Sequence, residues 1–261
     1  MTVELPHRAT AYLANLRRAG PRPLSLPSEL APRSEAEAYQ LQTDTMHALR
    51  AGRGAWKVAM NDAHSGTCAP IFASDLWRSG ARIASPITER FGIEPEVAFT
   101  LKEALPALPE GRHYQLEQVI AAIGSAHAVI EVLISRFRSL EGAPPLDRLA
   151  DNLSNGGLVI GAPCENWQQL DMRTLPLRLC VGGGSPPNAS LPEVYQAQGG
   201  HPLDCPLLPL LWLANYRSDS GHGMQAGELV TTGSFAGLRY VGRGTHVSVR
   251  FEGLGDAELY S

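Results

Sequence analysis

The sequence predicts a mixed, largely antiparallel α+β domain, and three observations carry that prediction. Short apolar runs recur from Ala55 onward, divided by turn signals such as Gly66, Gly80, Gly182-Gly183-Gly184 and Gly242-Arg243-Gly244. Stretches with helical periodicity stand before and between these runs. The chain also holds 26 glycines and 20 prolines, about 18% of its 261 residues. That much punctuation favours many turns and argues against a helical bundle. At 44% hydrophobic, a chain of this length can bury a sizeable core.

Each element has a local reason. Ala9, Leu13 and Leu16 fall on one helical face. A loop rich in Pro and Arg follows, from Pro21 to Pro32. Ser34 and Glu37 form a capping-box pattern that opens a second helix, running to about Leu49 and stopping at Gly52. Residues 1–54 thus read as an N-terminal helical lead-in, and 55–261 as the main domain. Strands are predicted at Ala55–Met60, Ile93–Leu101, Val129–Phe137, Leu158–Ile160, Leu175–Val181, Glu228–Gly233 and Thr245–Phe251. Helices are predicted at Tyr114–Ile123, Leu146–Asn152 and Leu207–Tyr216, the last preceded by a proline. The Gly182–Gly184 triplet leads into Ser185-Pro186-Pro187, so it reads as a hairpin turn and not as a phosphate-binding loop.

Several function classes fall away. Twenty-two basic and twenty-six acidic residues give a formal charge of −4, without the basic excess that nucleic acid requires. The four cysteines are widely spaced and suggest neither a zinc ribbon nor a disulfide scaffold. No G-x-S-x-G elbow is present. The first twenty residues lack the apolar core of a signal peptide. The most apolar stretch, Pro206–Ala214, is too short for a membrane span and contains two prolines. A cytoplasmic protein without nucleic-acid or membrane partners is expected.

Acidic residues carry the strongest chemical signal. In Phe91-Gly92-Ile93-Glu94-Pro95-Glu96-Val97-Ala98-Phe99, strand alternation puts Glu94 and Glu96 on one face. Pro95 cannot donate to a ladder, which predicts a sheet edge or a bulge there. Glu131 stands in the apolar run Val129–Phe137. A lone buried carboxylate is costly unless paired or bound to metal. Arg136 would point to the opposite face of a continuous strand. A hard divalent cation shared by Glu94, Glu96 and Glu131 is one resolution, with Mg²⁺ or Mn²⁺ preferred to zinc. The spacing alone leaves a solvated acidic face open as the other.

A wider pattern extends that reading. I-E-P-E-V-A-F at 93–99 and I-E-V-L-I-S-R-F at 130–137 resemble the paired acidic strands of 2-keto-4-pentenoate hydratases and 4-oxalocrotonate decarboxylases. These belong to the fumarylacetoacetate hydrolase superfamily. Ala55-Trp56-Lys57-Val58 is similar to the family's G-[WR]-K-[IV]. Ala150-Asp151-Asn152-Leu153-Ser154-Asn155-Gly156 is similar to its A-D-N-A-S-x-G. Gly200-His201-Pro202-Leu203 and Ala226-Gly227-Glu228-Leu229-Val230-Thr231-Thr232-Gly233 match two further motifs in the expected order. The resemblance runs from about residue 35 to the end.

The resemblance implies a fumarylacetoacetate-hydrolase-like α+β fold, a mixed β-roll or barrel with flanking helices. It implies a lyase of aromatic catabolism that assembles as a homo-oligomer. Its cation, Mg²⁺ or Mn²⁺, would be held by Glu94, Glu96 and Glu131, and its ligand would be a small 2-oxo or 2-hydroxydienoic acid. The expected reaction is ketonisation of a 2-hydroxy-2,4-dienoic acid and addition of water at C4. The alternatives are decarboxylation of a 4-oxalocrotonate-type acid and binding without catalysis. Lys57 would be catalytic, through its charge or through a lowered pKa, while Ser154 and Thr232 would donate to substrate carboxylates. Asp151 and Asn152 would brace their turn; His64, His127, His201 and His222 read as structural. The sequence departs from the pattern at Cys68–Asp75, where hydratases carry P-D-F-G. The family's K-[IV]-G-L-T becomes Lys57-Val58-Ala59-Met60-Asn61.

Overall fold

The computed structural model describes residues 5–18, 22–83, 90–183 and 193–261. Two helices lead, α1 (Leu5–Arg18) and α2 (Glu35–Ala48). Strands β1 (Arg53–Met60), β2 (Gly66–Phe72), β3 (Leu76–Arg78), β4 (Ala81–Arg82) and β5 (Arg90–Leu101) follow. Then come α3 (Leu116–Ala122), β6 (Ile123–Leu133), α4 (Pro145–Ala150), β7 (Asn155–Ile160), β8 (Pro176–Gly183) and β9 (Glu193–Gln198). The described chain ends with α5 (Leu207–Asp219), β10 (Leu229–Ser234), β11 (Arg239–Gly242), β12 (Thr245–Phe251) and β13 (Gly255–Tyr260). No described helix is long and apolar enough to cross a membrane.

One sheet runs β2-β1-β10-β5-β6-β7-β3, with β11 also paired to β5; the other runs β4-β13-β12-β8-β9. Most pairs are antiparallel, but β1–β10, β3–β7 and β4–β13 are parallel. Neither sheet closes into a barrel among the described residues, so the roll is the half of the expected description that holds. Val97 and Phe99 on β5 and Val247, Val249 and Phe251 on β12 belong to the main core cluster between the sheets. A smaller cluster lies on the opposite face of the first sheet and includes Ala55, Ala98, Val129, Leu158 and Leu229. Strand alternation then places Lys57, Glu94, Glu96, Glu131 and Thr231 on that same inner face.

The helical lead-in does not close a core alone. Ala9, Leu13, Leu16, Leu26 and Leu41 join one cluster with Phe137, Ala143 and Leu149 from mid-chain. Ser34 caps α2 by accepting from the Glu37 N–H at 3.2 Å. The reciprocal half of the expected capping box is displaced by one residue: the Glu37 carboxylate accepts from the Arg33 N–H at 2.8 Å.

Pro95 corrects one expectation and supports its alternative. β5 lies inside the sheet between β10 and β6, not at an edge. The register of β10 slips between Thr231 and Ser234 opposite it, which is a bulge. The Pro95 carbonyl faces that bulge and accepts from the Phe235 N–H at 2.9 Å. The N–H that proline lacks would point to the same side, so the bulge leaves no ladder bond unmade.

Strand β6 starts earlier than expected and stops at Leu133. Beyond it, Arg136 leaves the ladder and pairs with Asp151, Nε to Oδ1 at 2.5 Å, both buried. Gly182 and Gly183, expected in a hairpin turn, instead end strand β8, where they pair with His246 and Thr245; Gly184 lies outside the described residues, and β8 and β9 pair antiparallel. Gly157 shows where packing forbids a side chain: at φ +145°, an added Cβ would lie 2.2 Å from the Trp77 ring. Gly157→Ala is therefore expected to lower stability by about 1–3 kcal/mol, readable as a shifted denaturant midpoint at constant slope.

Candidate metal centre

Cross-strand register assembles the acidic cluster. Glu94 on β5 sits directly opposite Glu131 on β6, and Glu96 lies two residues along the same face. One carboxylate oxygen from each of the three lies within 4.8 Å of the others. Glu96 and Glu131 are buried, while Glu94 is half-buried. Lys57 reaches the cluster from β1, its Nζ 2.5 Å from Glu131 Oε1. Two strands, β10 and β5, lie between β1 and β6. In a flat sheet that separation is about 14 Å, farther than the two side chains span, so the sheet must curl to bring them together.

Hydrogen bonds hold the carboxylates in place. Asn155 Nδ2 donates to Glu131 Oε1 at 3.0 Å. The Gly233 N–H donates to Glu96 Oε2 at 2.9 Å, and the Thr231 hydroxyl donates to the same oxygen. Gly233 adopts φ +109° in the β10 bulge, a backbone conformation suited to glycine. His201 Nε2 contacts the Thr232 carbonyl at 2.8 Å, and its Nδ1 accepts from the Leu203 N–H at 3.2 Å. The proton therefore sits on Nε2, and the ring fixes the carbonyl just before Gly233.

The A-D-N-x-S segment forms a strained brace. Asn152, Leu153 and Ser154 all have positive φ, 55°, 51° and 59°. Consecutive left-handed residues other than glycine are costly and persist only where the surroundings impose them. Here Asp151 is tied to Arg136, and Asn152 Nδ2 donates to the Pro70 carbonyl at 3.2 Å. The strain turns the Leu153 carbonyl toward Lys57 Nζ, 3.2 Å away. It also leaves the Ser154 hydroxyl buried without a partner among the described residues.

Burial and mutual repulsion set the charge state. Burial first, then Glu131, raise the Glu94 pKa to about 7, although Lys57 opposes the rise. Glu96 is raised well above the usual carboxylate range, by burial and then by Glu131 and Glu94. Burial works against the Lys57 charge, but Glu131, Glu94 and Glu96 outweigh it and its pKa is raised. The lowered lysine pKa considered from sequence is thus reversed. One cation against three carboxylates leaves an acid excess of hard oxygen donors in a buried site, the chemistry of a divalent-cation centre. Protons compete for these oxygens, so Mg²⁺ or Mn²⁺ affinity is expected to rise as pH is raised through about 7. Calorimetric titration of the metal on either side of that pH checks the sign.

Two pockets flank Lys57. One, of about 430 Å³, is lined by Lys57, Glu94, Glu96, Glu131, His201 and Phe235, among others. The second holds Lys57 and Glu94 together with Ser154 and Arg148 of α4. Thr232 lines the first, but its hydroxyl donates to the Val97 carbonyl at 2.9 Å, and Thr231 is the threonine that faces a carboxylate. His201, Gly233 and Asn155 were not singled out for this site from sequence, although each stands in a quoted motif. His127 lies elsewhere, with Nδ1 3.1 Å from the Gly161 carbonyl. Asp75 lines neither pocket, and Ala69 is the residue of β2 paired with Lys57.

No protein-family model matches the chain. A 4-oxalocrotonate decarboxylase from Pseudomonas putida is 29% identical over 164 residues, 62% of this chain and 57% of that protein. A 2-hydroxyhexa-2,4-dienoate hydratase from Comamonas testosteroni is 30% identical over 166 residues, 64% of this chain and 58% of that protein. The matched region is thus less than two thirds of these relatives' length. In fold, a solved 4-oxalocrotonate decarboxylase from Pseudomonas putida G7, complexed with magnesium and adipate, superposes with a TM-score of 0.82 at 22% identity. That match covers 100% of this chain and 98% of that one.

Proposed function

Starting from the chain's kinship with the 4-oxalocrotonate decarboxylases and the dienoate hydratases, we propose a divalent-metal-dependent lyase of small 2-oxo and 2-hydroxydienoic acids. The reaction proposed first is ketonisation of a 2-hydroxy-2,4-dienoic acid followed by water addition at C4. The observation that carries it is the convergence of Glu94, Glu96, Glu131 and Lys57 on the floor of one pocket. Glu94, Glu96 and Glu131 would hold Mg²⁺ or Mn²⁺. That ion would supply a Lewis acid for an acid's carboxylate and 2-oxygen. Lys57 keeps its proton on Nζ, so its role is to stabilise negative charge that develops on the substrate. Ser154, whose buried hydroxyl has no partner among the described residues, stays the proposed donor to a substrate oxygen, whereas the Thr232 hydroxyl is committed to the Val97 carbonyl. Phe235 is among the apolar residues that line the pocket, while the Val58 side chain faces the main core.

A specific observation favours decarboxylation as the second reading. Among the described residues, no carboxylate other than the three glutamates lines the pocket beside His201 and Phe235. Adding water requires a group that moves a proton at C4, whereas losing CO₂ requires chiefly an electron sink. Purified protein assayed with Mg²⁺ against 2-hydroxypenta-2,4-dienoate and 4-oxalocrotonate in parallel separates the two by the ratio of rates. Absence of turnover of either acid, with Mg²⁺ or Mn²⁺, would refute the lyase reading. We also propose a cytoplasmic homo-oligomer acting in aromatic-ring catabolism, with light scattering as the check on assembly.

A further inference from the structure

His201 reads as structural in sequence, yet it stands one peptide group away from a proposed metal ligand. The Thr232–Gly233 peptide is gripped at both ends. Its carbonyl accepts from the His201 Nε2–H at 2.8 Å, and its N–H donates to Glu96 Oε2 at 2.9 Å. The Leu203 N–H, 3.2 Å from Nδ1, fixes the tautomer that makes the first of these bonds possible. The peptide lies where β10 slips register against β5, between Thr231 and Ser234, so regular pairing with β5 does not set its plane. Gly233 at φ +109° lets the backbone aim its N–H at Glu96, and a Cβ added there would lie 3.3 Å from His201 Nε2. The Thr231 hydroxyl donates to the same carboxylate oxygen, which leaves Oε1 for a cation. We propose that His201 is a positioning residue: through the Thr232–Gly233 peptide it holds the Gly233 N–H on Glu96 Oε2, and so sets how the Glu96 carboxylate meets a divalent ion.

His201 lines the pocket, but both ring nitrogens are committed, Nε2 as donor and Nδ1 as acceptor, which suits it to positioning and not to proton transfer. Burial also lowers its pKa, so the ring stays neutral near pH 7. Phe235 packs edge-on against it, with ring centroids 5.4 Å apart, and restricts its rotation away from the carbonyl. A donor on the carbonyl of a peptide polarises that peptide's N–H, so the bond to Glu96 strengthens with the bond from His201. Partners one step behind a metal ligand typically change metal affinity by about 10–100-fold. The proposal rests on the three-carboxylate reading for its ion, whereas the hydrogen-bonded chain from His201 to Glu96 stands without it.

The test is calorimetric titration of Mg²⁺ into the full chain, with the NMR shift of the Gly233 amide proton in the metal-free protein, for the wild type, His201→Gln and His201→Asn. A glutamine amide reaches about as far as Nε2 and can still donate to the Thr232 carbonyl. An asparagine reaches only as far as Nδ1 and can keep the bond from Leu203. His201→Asn is expected to weaken Mg²⁺ binding by roughly 10–100-fold and to move the Gly233 amide proton upfield. His201→Gln should bind Mg²⁺ within about three-fold of the wild type and shift that proton less. Equal losses in the two variants overturn the proposal, because the shape of the ring and not its donor would then matter. So does wild-type Mg²⁺ affinity in His201→Asn, or a Gly233 amide that stays in place. Should neither variant fold, nitrogen-15 spectra of the wild-type ring decide: a proton on Nε2 supports the proposal and one on Nδ1 overturns it. A wild type that binds neither Mg²⁺ nor Mn²⁺ fails the three-carboxylate reading itself, while the Gly233 shift still tests the link from His201 to Glu96.

Discussion

Glu96→Gln is expected to weaken Mg²⁺ binding by more than about 100-fold and to abolish turnover, while the metal-free protein melts no lower than the wild type. The two halves of this result have one cause. Glu96 is buried beside Glu94 and Glu131, and its carboxylate is held well above its usual pKa. Ionising three acids there is unfavourable without a cation, so deleting one charge relieves repulsion. The glutamine oxygen can still accept from the Gly233 N–H and the Thr231 hydroxyl, which now bond to Glu96, so packing is kept. What disappears is an anionic ligand, and the loss of a first ligand exceeds the roughly 10–100-fold typical of an outer partner. Unchanged Mg²⁺ affinity and unchanged turnover would sink the three-carboxylate account. A large drop in metal-free melting temperature would instead mean that the carboxylate is structural.

The wild type should show the matching pH behaviour. Carboxylates with raised pKa values contribute stability when protonated, below the ordinary carboxylate range. That contribution is lost as pH rises through the folded value, about 7 for Glu94. Over the same interval the deprotonated cluster gains affinity for a divalent ion, so added Mg²⁺ should raise the melting temperature more above pH 7 than below it.

Much of this site was legible because its logic is strand alternation. Glu94 and Glu96 share a face through a period of two, and Glu131 betrays itself as an acid in an apolar run. The β10 bulge was legible in outline from Pro95, but its location required the pairing order. What the sequence hid is set by long-range packing. Arg136 looked like a residue of the Glu131 strand, yet the chain leaves the ladder at Leu133 and sends that guanidinium to Asp151. No local rule predicts three consecutive left-handed residues at Asn152–Ser154, because their conformation is imposed by Asp151, Pro70 and Lys57 from other elements. The two threonines illustrate the same limit. Thr231 and Thr232 look interchangeable in sequence, and only the register with Ala98 shows that Thr231 faces Glu96. Strands β2 and β13 are absent from the sequence reading: Pro70 interrupts the first and Gly255-Asp256 opens the second, although Ala257 and Leu259 are fully buried.

Lys57→Met should give the converse of the glutamate result: a metal-free protein destabilised by about 3–5 kcal/mol, together with a loss of turnover of about 100-fold or more. Lys57 is 5% exposed and Glu131 1% exposed, and the lysine is the only cation paired with that carboxylate among the described residues. Removing it leaves a buried anion with Asn155 as its remaining donor and takes a partner from the Leu153 carbonyl. The two roles of the lysine can be separated by metal. A divalent ion also neutralises Glu131, so Mg²⁺ should restore the melting temperature of Lys57→Met by more than it raises that of the wild type. Turnover should not return, because the positive charge beside the substrate is then missing from the side of the site where Leu153 holds it. Lys57→Arg is expected to recover stability in part but not rate, since a planar fork cannot occupy the position of a compact ammonium between Glu131 and the Leu153 carbonyl. A Lys57→Met protein that keeps wild-type turnover would remove the lysine from the chemistry. One that melts as the wild type does without metal would mean that Glu131 never depended on it.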